Sequence, residues 1–198
     1  MSVKKRPYKM KRRAELEAQT RQRITESAVE LHGSLGPART SMKAVAEHAG
    51  VPRSTVYRHF PDEEALFGAC SAHWAAQNPP PDTSRWEKVD APDERLEVAL
   101  AELYAYYRRA GGMLDKLFRD EAAVPVVAEL LAPYHQLMAA ITEILMRRRG
   151  LRGNAAKRTR ASIGHAISFR TWQQLTGELG LEDEEAAELM RRLVAAAA

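Results

Sequence analysis

Apolar residues recur along most of this chain at intervals of three and four, the spacing of one face of an α-helix. Ile24, Ala28 and Leu31 set the first such stripe, over a helix predicted for residues 14–34. Leu16 and Thr20 extend its face toward the N-terminus, and Gly33, Gly36 and Pro37 end it. Two shorter helices follow, 43–49 and 52–59, separated by Gly50-Val51. Thr40 and Ser41 supply side-chain oxygens to cap the first, Gly50 offers the left-handed backbone that stops it, and Pro52 opens the second. Val45, Val51, Val56 and Phe60 form a miniature core, with Ala46 small enough for a crossing helix. A fourth helix runs from the Pro61-Asp62 cap to about residue 77, with Ala65, Leu66, Ala69, Cys70 and Trp74 facing inward.

The next stretch, 78–90, reads as a linker, because Pro79, Pro80 and Pro81 favour an extended backbone. Beyond it every periodic segment is again helical. One helix is expected over 93–110, broken at Gly111-Gly112 and followed by a short helix over 113–119. A long one over 125–149 should kink at Pro133. Two more are expected over 154–176, capped by Asn154, and over 182–195. No convincing strand pattern or internal repeat appears, so the fold class is all-α.

Length and composition permit one domain or two small ones, with 198 residues, 45% hydrophobic and 28% charged. The longest apolar runs are too short to cross a bilayer, and the basic N-terminus lacks the apolar stretch of a secretory signal. A lone cysteine, Cys70, excludes an internal disulfide framework and fits a reducing cytoplasm. The charge is unevenly placed. Residues 1–60 hold 13 Lys and Arg against 5 acids, whereas the remainder is net acidic. A polyanionic partner would therefore meet the first third. Residues 1–13 carry seven cations and no acid, and read as a disordered arm that either follows a phosphate backbone or merely solubilises.

The paired short helices have the form of a helix-turn-helix. Arg53 in the first turn of the second helix can give a guanine a bidentate pair, and Ser54 and Thr55 can bond base edges or phosphate. Tyr57, Arg58 and His59 lie further along, toward the phosphates, while Thr40, Ser41 and Lys43 offer hydroxyls and a cation to one phosphate. The run T-S-x-x-x-V-A-x-x-A-G-V-x-x-x-T-V-Y-x-H-F-x-x-x-E-x-L, from Thr40 to Leu66, resembles the DNA-binding signature of tetracycline-repressor-type (TetR family) transcription regulators. Two departures stand out: the GSLGPART loop lacks the aromatic common in the family, and Glu63 stands where a phosphate-contacting lysine is usual.

The resemblance implies four parts: the arm 1–13, a three-helix DNA-binding domain 14–60, a connecting helix 61–77, and a helical effector-binding and dimerisation domain 78–198. It implies an operator-binding homodimer, with Ile163, Ile167, Leu189, Met190 and Leu193 as candidate contacts in a four-helix interface, or else as the chain's own core. It also implies a small-molecule pocket. Trp86, Tyr104, Tyr107, Met113, Phe118, Tyr134, His135, Met138, Phe169 and Trp172 could line it, or could be plain core.

Enzymatic chemistry finds no support. The histidines show no paired metal spacing, and no phosphate-binding loop, dinucleotide fingerprint or nucleophile elbow appears, so no cofactor or metal is expected. Asp115, Asp120 and Glu121 read as a solvated acidic cluster and Cys70 as inert. The chain thus reads as a cytoplasmic, effector-relieved DNA-binding repressor. The alternatives are an activator, or a helical ligand-binding or protein-interaction module whose helix-turn-helix has lost DNA.

Overall fold

The computed structural model describes residues 5–198. Among these the regular elements are all helical: α1 (Lys5–Ser34), α2 (Met42–His48), α3 (Arg53–His59), α4 (Glu63–Gln77), α5 (Pro92–Asp120), α6 (Pro125–Met146), α7 (Gly153–Ala166), α8 (Phe169–Gln173) and α9 (Asp183–Ala196). Single 3₁₀ turns occupy Pro37–Arg39 and Trp86–Lys88, and a π-helical turn spans Gln174–Glu178. No helix among the described residues is long and apolar enough to cross a membrane.

The chain divides into two compact units. The first contains residues up to Gln77 together with Lys116–Val127, and the second contains Asn78–Asp115 and Ala128–Ala198. In the first, α1, α2, α3 and α4 enclose Ile24, Ala28, Val45, Val56, Phe60 and Leu66, each at most 4% exposed. Asp62 caps α4, its carboxylate accepting from the Ala65 amide at 2.7 Å, and Phe67 adds a buried ring that the periodicity alone had not singled out.

The expected disorder of the N-terminal arm fails from Lys5 onward, and residues 1–4 lie outside the described residues. Lys, Arg, Met, Ala and Glu are strong helix formers, and Pro7 falls in the first turn, where its missing N–H has no intrahelical partner anyway. The Arg13–Glu17 pair at 3.1 Å spans one turn. Leu16 is 55% exposed, so the buried stripe begins at Ile24 rather than four to eight residues earlier.

The second unit is built round α5. Its residues Leu96, Leu100, Leu103, Tyr104 and Tyr107 are all at most 1% exposed. Three sequence expectations fail here for tertiary reasons. The helix continues through Gly111-Gly112, and the Trp172 ring packs on it so closely that a Cβ at Gly111 would meet it at 3.2 Å. A glycine is the residue that permits that approach. Pro133 sits inside a continuous α6, with Pro133 itself exposed and the flanking Leu131 and Ile141 holding the helix by burial. The helix expected over 154–176 is divided at Ile167-Ser168, and its N-cap is Arg152, not Asn154. At that break the Tyr104 hydroxyl donates to the Ala166 carbonyl at 2.9 Å and the Tyr107 hydroxyl to the Ile167 carbonyl at 2.6 Å. Side chains thereby satisfy carbonyls that a continuing helix would have used.

Arg95 is the most unusual core residue of this unit. It is 2% exposed and has no carboxylate partner among its hydrogen bonds, which all go to backbone carbonyls. Its guanidinium donates to Val89 (2.9 and 2.6 Å), Asp90 (3.1 Å), Ile144 (3.1 Å) and Arg147 (2.9 Å). The last two carbonyls lie at the C-terminal end of α6, where a cation is electrostatically favoured. One buried cation thus ties the segment after Trp86 to the end of a helix some fifty residues away.

Candidate nucleic-acid interface

The helix-turn-helix takes its local form from identifiable residues. Ser41 is the N-cap of α2, its side chain accepting from the Ala44 amide at 3.2 Å. Gly50 follows the helix at φ +63°, and nothing lies within 4 Å of where its Cβ would be, so the demand for glycine there is conformational. The Val51 amide then returns to the Ala46 carbonyl at 3.0 Å, and Pro52 caps α3 in extended geometry. Val45, Ala46 and Val56 bury the α2–α3 contact. Val51, expected in the same core, is half-buried.

This packing leaves Ser41, Lys43, Arg53, Ser54, Tyr57 and Arg58 exposed, with Thr55 and His59 partly so. The free protein already orders Arg53: its Nη2 donates to the Tyr57 hydroxyl at 2.9 Å and its guanidinium lies 5.3 Å from the Tyr57 ring centre. The phenolic proton remains available to an anion. Lys43 pairs loosely with Glu47 at 3.7 Å across one turn, a contact of little worth on an exposed face.

Two of the nine residues expected at DNA are arranged differently from the expectation. The Thr40 hydroxyl donates its one proton to the Gly36 carbonyl at 2.8 Å, so it clamps its own loop, and the cap of α2 is Ser41. His59 has Nε2 buried without a hydrogen-bond partner among the described residues, and desolvation, with the cations Arg58 and Arg21, lowers its pKa from the ordinary value. Glu63, exposed in the first turn of α4, lies beside the helix dipole and lines a shallow cleft of about 60 Å³ with His32, Met42, Val45 and Phe67.

Sequence reasoning missed Arg21. Its Nη1 donates to the His59 carbonyl at 2.6 Å and its guanidinium covers the Phe60 ring at 4.1 Å, so a cation on α1 fixes the C-terminal end of α3. The sequence signal was the single cation facing the stripe one turn before Ile24, legible only once α3 is placed. Deeper in the same unit, His32 touches Cys70 (Nδ1···Sγ 3.3 Å) and Phe67 (ring centres 5.2 Å apart). Burial lowers His32 to about 4 and raises the Cys70 thiol to about 11, so both are neutral near pH 7 and Cys70 is unreactive.

Several of the residues expected to line an effector pocket pack on one another. Phe118 belongs to the first unit, and His135 is exposed on α6. Trp86 is wholly buried, its indole donating to Glu102 at 2.8 Å. Tyr107 packs on Phe169 and Trp172 (ring centres 5.5 and 5.8 Å apart), and its hydroxyl also meets Tyr134 at 3.2 Å and the Met138 sulfur at 3.6 Å. Tyr104 is closed in beside it, and Met113 is half-buried on the same helix. Trp172 is held by Asp183 at 2.8 Å, itself gripped by Arg108. These rings therefore fill one another's space.

The expected dimer contacts divide in the same way. Ile163, Ile167 and Met190 are at most 4% exposed and close the chain's own core, whereas Leu189 and Leu193, one turn apart on α9, are 39% and 50% exposed. The acidic cluster also separates: Asp115 accepts from Gln173 at 2.9 Å, while Asp120 is 5% exposed and not solvated. Among the described residues no group of His, Cys, Asp and Glu could hold a metal ion.

Comparison with known proteins agrees with this geometry. Residues 24–70 match the sequence model of the family described as bacterial regulatory proteins, tetR family. Over most of its length the fold is similar to that of a TetR-like transcriptional regulator from Rhodococcus sp. RHA1, at 18% identity and TM-score 0.64, covering 89% of this chain and 93% of that one. It is also similar to a TetR transcription regulator from Haloarcula marismortui ATCC 43049, at 13% identity and TM-score 0.58, covering 91% and 97%. A third similar fold is that of the multidrug binding protein EbrR complexed with imidazole, at 21% identity and TM-score 0.53, covering 88% and 89%. No curated protein matches the chain. Residues 24–70 thus carry the sequence pattern of the tetR-family DNA-binding region, and over most of its length the chain has the fold of TetR-like regulators.

Proposed function

We propose that the chain is a cytoplasmic transcriptional repressor that binds its operator as a homodimer and is released by a small-molecule effector. The observation that carries this reading is the exposed row of Arg53, Ser54, Tyr57 and Arg58 on a helix braced from both ends, by Pro52 and by Arg21. Arg53 reads a base edge from the first turn, and Tyr57, Arg58, Ser41 and Lys43 contact phosphates. Thr55 contributes from a partly covered position.

A single helix-turn-helix reads too few base pairs for an operator, so two copies are needed. Leu189 and Leu193 support a second copy on α9, because they leave two leucines one turn apart 39% and 50% exposed. Ligand binding by the similar EbrR fold supports an effector in the second unit. Its entry requires the Tyr107–Phe169–Trp172 cluster to part, which shifts the protein between two arrangements.

Selection of bound duplexes from a random pool tests the reading. An inverted repeat should be recovered, and Arg53→Ala should relax preference at one base per half-site at a cost of about 1–3 kcal/mol. Recovery of no preferred duplex, with affinity tracking salt alone, would sink it.

A further inference from the structure

The loop between α1 and α2 is held by the last two residues of α5. The Asp120 carboxylate accepts from the Ala38 amide at 3.0 Å. The adjacent Arg119 donates to the Leu35 carbonyl at 2.8 Å and grips the same carboxylate at 2.8 and 3.1 Å. Between these two anchors lies Gly36, at φ +92°, where a Cβ would fall 2.1 Å from the Arg119 guanidinium and 2.5 Å from the Asp120 carboxylate. Glycine is thus required twice, for its backbone conformation and for the space the pair occupies.

Other polar groups of the loop bond within it. The Gly36 carbonyl accepts from Thr40 Oγ1 at 2.8 Å and from the Arg39 amide at 3.3 Å, and the Pro37 carbonyl accepts from the Thr40 amide at 3.1 Å. A 3₁₀ turn so pinned at both ends fixes where Ser41 begins α2, and α2 carries α3 through the buried Val45, Ala46 and Val56. Asp120 is 5% exposed, and a carboxylate is buried only where its charge is answered, so its presence here is a specific placement.

From this juxtaposition we infer that Asp120 and Arg119 are positioning residues for DNA recognition: they clasp the Leu35–Ala38 loop and thereby set the helix-turn-helix in the orientation that reads an operator. The inference rests on the DNA-binding reading above. Neither residue touches DNA in this account. Their effect passes through the loop into α2 and from α2 into the recognition helix.

Charge alone and positioning predict opposite signs, which makes the proposal testable. Removing an acid from a basic face strengthens binding to any duplex by simple electrostatics. Loss of the clasp weakens binding to the preferred duplex only. The full chain and its Asp120→Ala and Asp120→Asn variants are titrated against the duplex recovered by selection and against a scrambled duplex of equal length at one salt concentration. Asp120→Ala is expected to weaken the preferred duplex about tenfold while leaving the scrambled duplex unchanged or tighter. Asp120→Asn, which keeps one acceptor of two, should fall between, at about threefold. If Asp120→Ala is not folded at the assay temperature by thermal scan, Asp120→Asn decides the sign by itself. Binding of the preferred duplex at or above wild-type affinity, or parallel loss on both duplexes, overturns the clasp. A wild-type chain that prefers no duplex overturns the DNA-binding reading and the clasp with it.

Discussion

His32 gives the fold a pH dependence whose size follows from its surroundings. The ring is 7% exposed against Phe67 and Cys70, and no carboxylate is among its contacts to stabilise an imidazolium. Burial lowers its pKa from 6.5 to about 4. Between those values the unfolded chain takes up a proton that the folded chain does not. The His32 contribution is therefore fully present above pH 6.5 and is lost as pH falls toward 4. A gap of this size corresponds to roughly 3 kcal/mol in full, and to about 2 kcal/mol of it between pH 7.5 and pH 5.

The perturbation is His32→Phe, which keeps a ring beside Phe67 and cannot titrate. Denaturant unfolding of both proteins at half-unit steps from pH 7.5 to 5 isolates the slope, since any constant packing cost cancels in the difference. His59 is also held below its ordinary pKa, but it is present in both proteins and drops out. The two stability curves should converge by about 2 kcal/mol at the acid end. Parallel curves would mean that His32 is protonated without penalty, and the reasoning from burial would be wrong.

Two further outcomes concern the second unit. Arg95→Met should lower its stability by about 3 kcal/mol or more, because the carbonyls of Val89, Ile144 and Arg147 lose charged donors inside the protein; thermal unfolding reads the loss. Gly112→Ala should stabilise α5 by up to about 1 kcal/mol, since its Cβ meets nothing within 4 Å, whereas Gly111→Ala should gain nothing because Trp172 must first give way.

The helix-turn-helix was legible because its signals are local. Ser41, Gly50, Pro52 and Asp62 each announce a cap or turn through their own chemistry, within a few residues of the place where they act. What escaped was decided at long range. Gly111-Gly112 reads as a break until Trp172, some sixty residues later, is laid against it. The division at Ile167 depends on hydroxyls from Tyr104 and Tyr107. Asp120 looked like one of three solvated acids until the Ala38 amide, 82 residues distant, was found beside it. Ile163, Ile167 and Met190 carry the periodicity of an interface and of a core alike, and spacing cannot separate the two. Arg21 and Arg95 are cations on helix faces, and sequence alone gives no reason to place either against a carbonyl.

A guanidinium that leans on a phenol before any duplex arrives has surrendered much of its rotational freedom in advance. If Arg53 is the base reader proposed above, meeting a base is an exchange of one acceptor for another, and little ordering is left to offset the gain. A contact of that kind would show itself mainly in how long a complex lasts, since docking speed is governed by the wider field of cations.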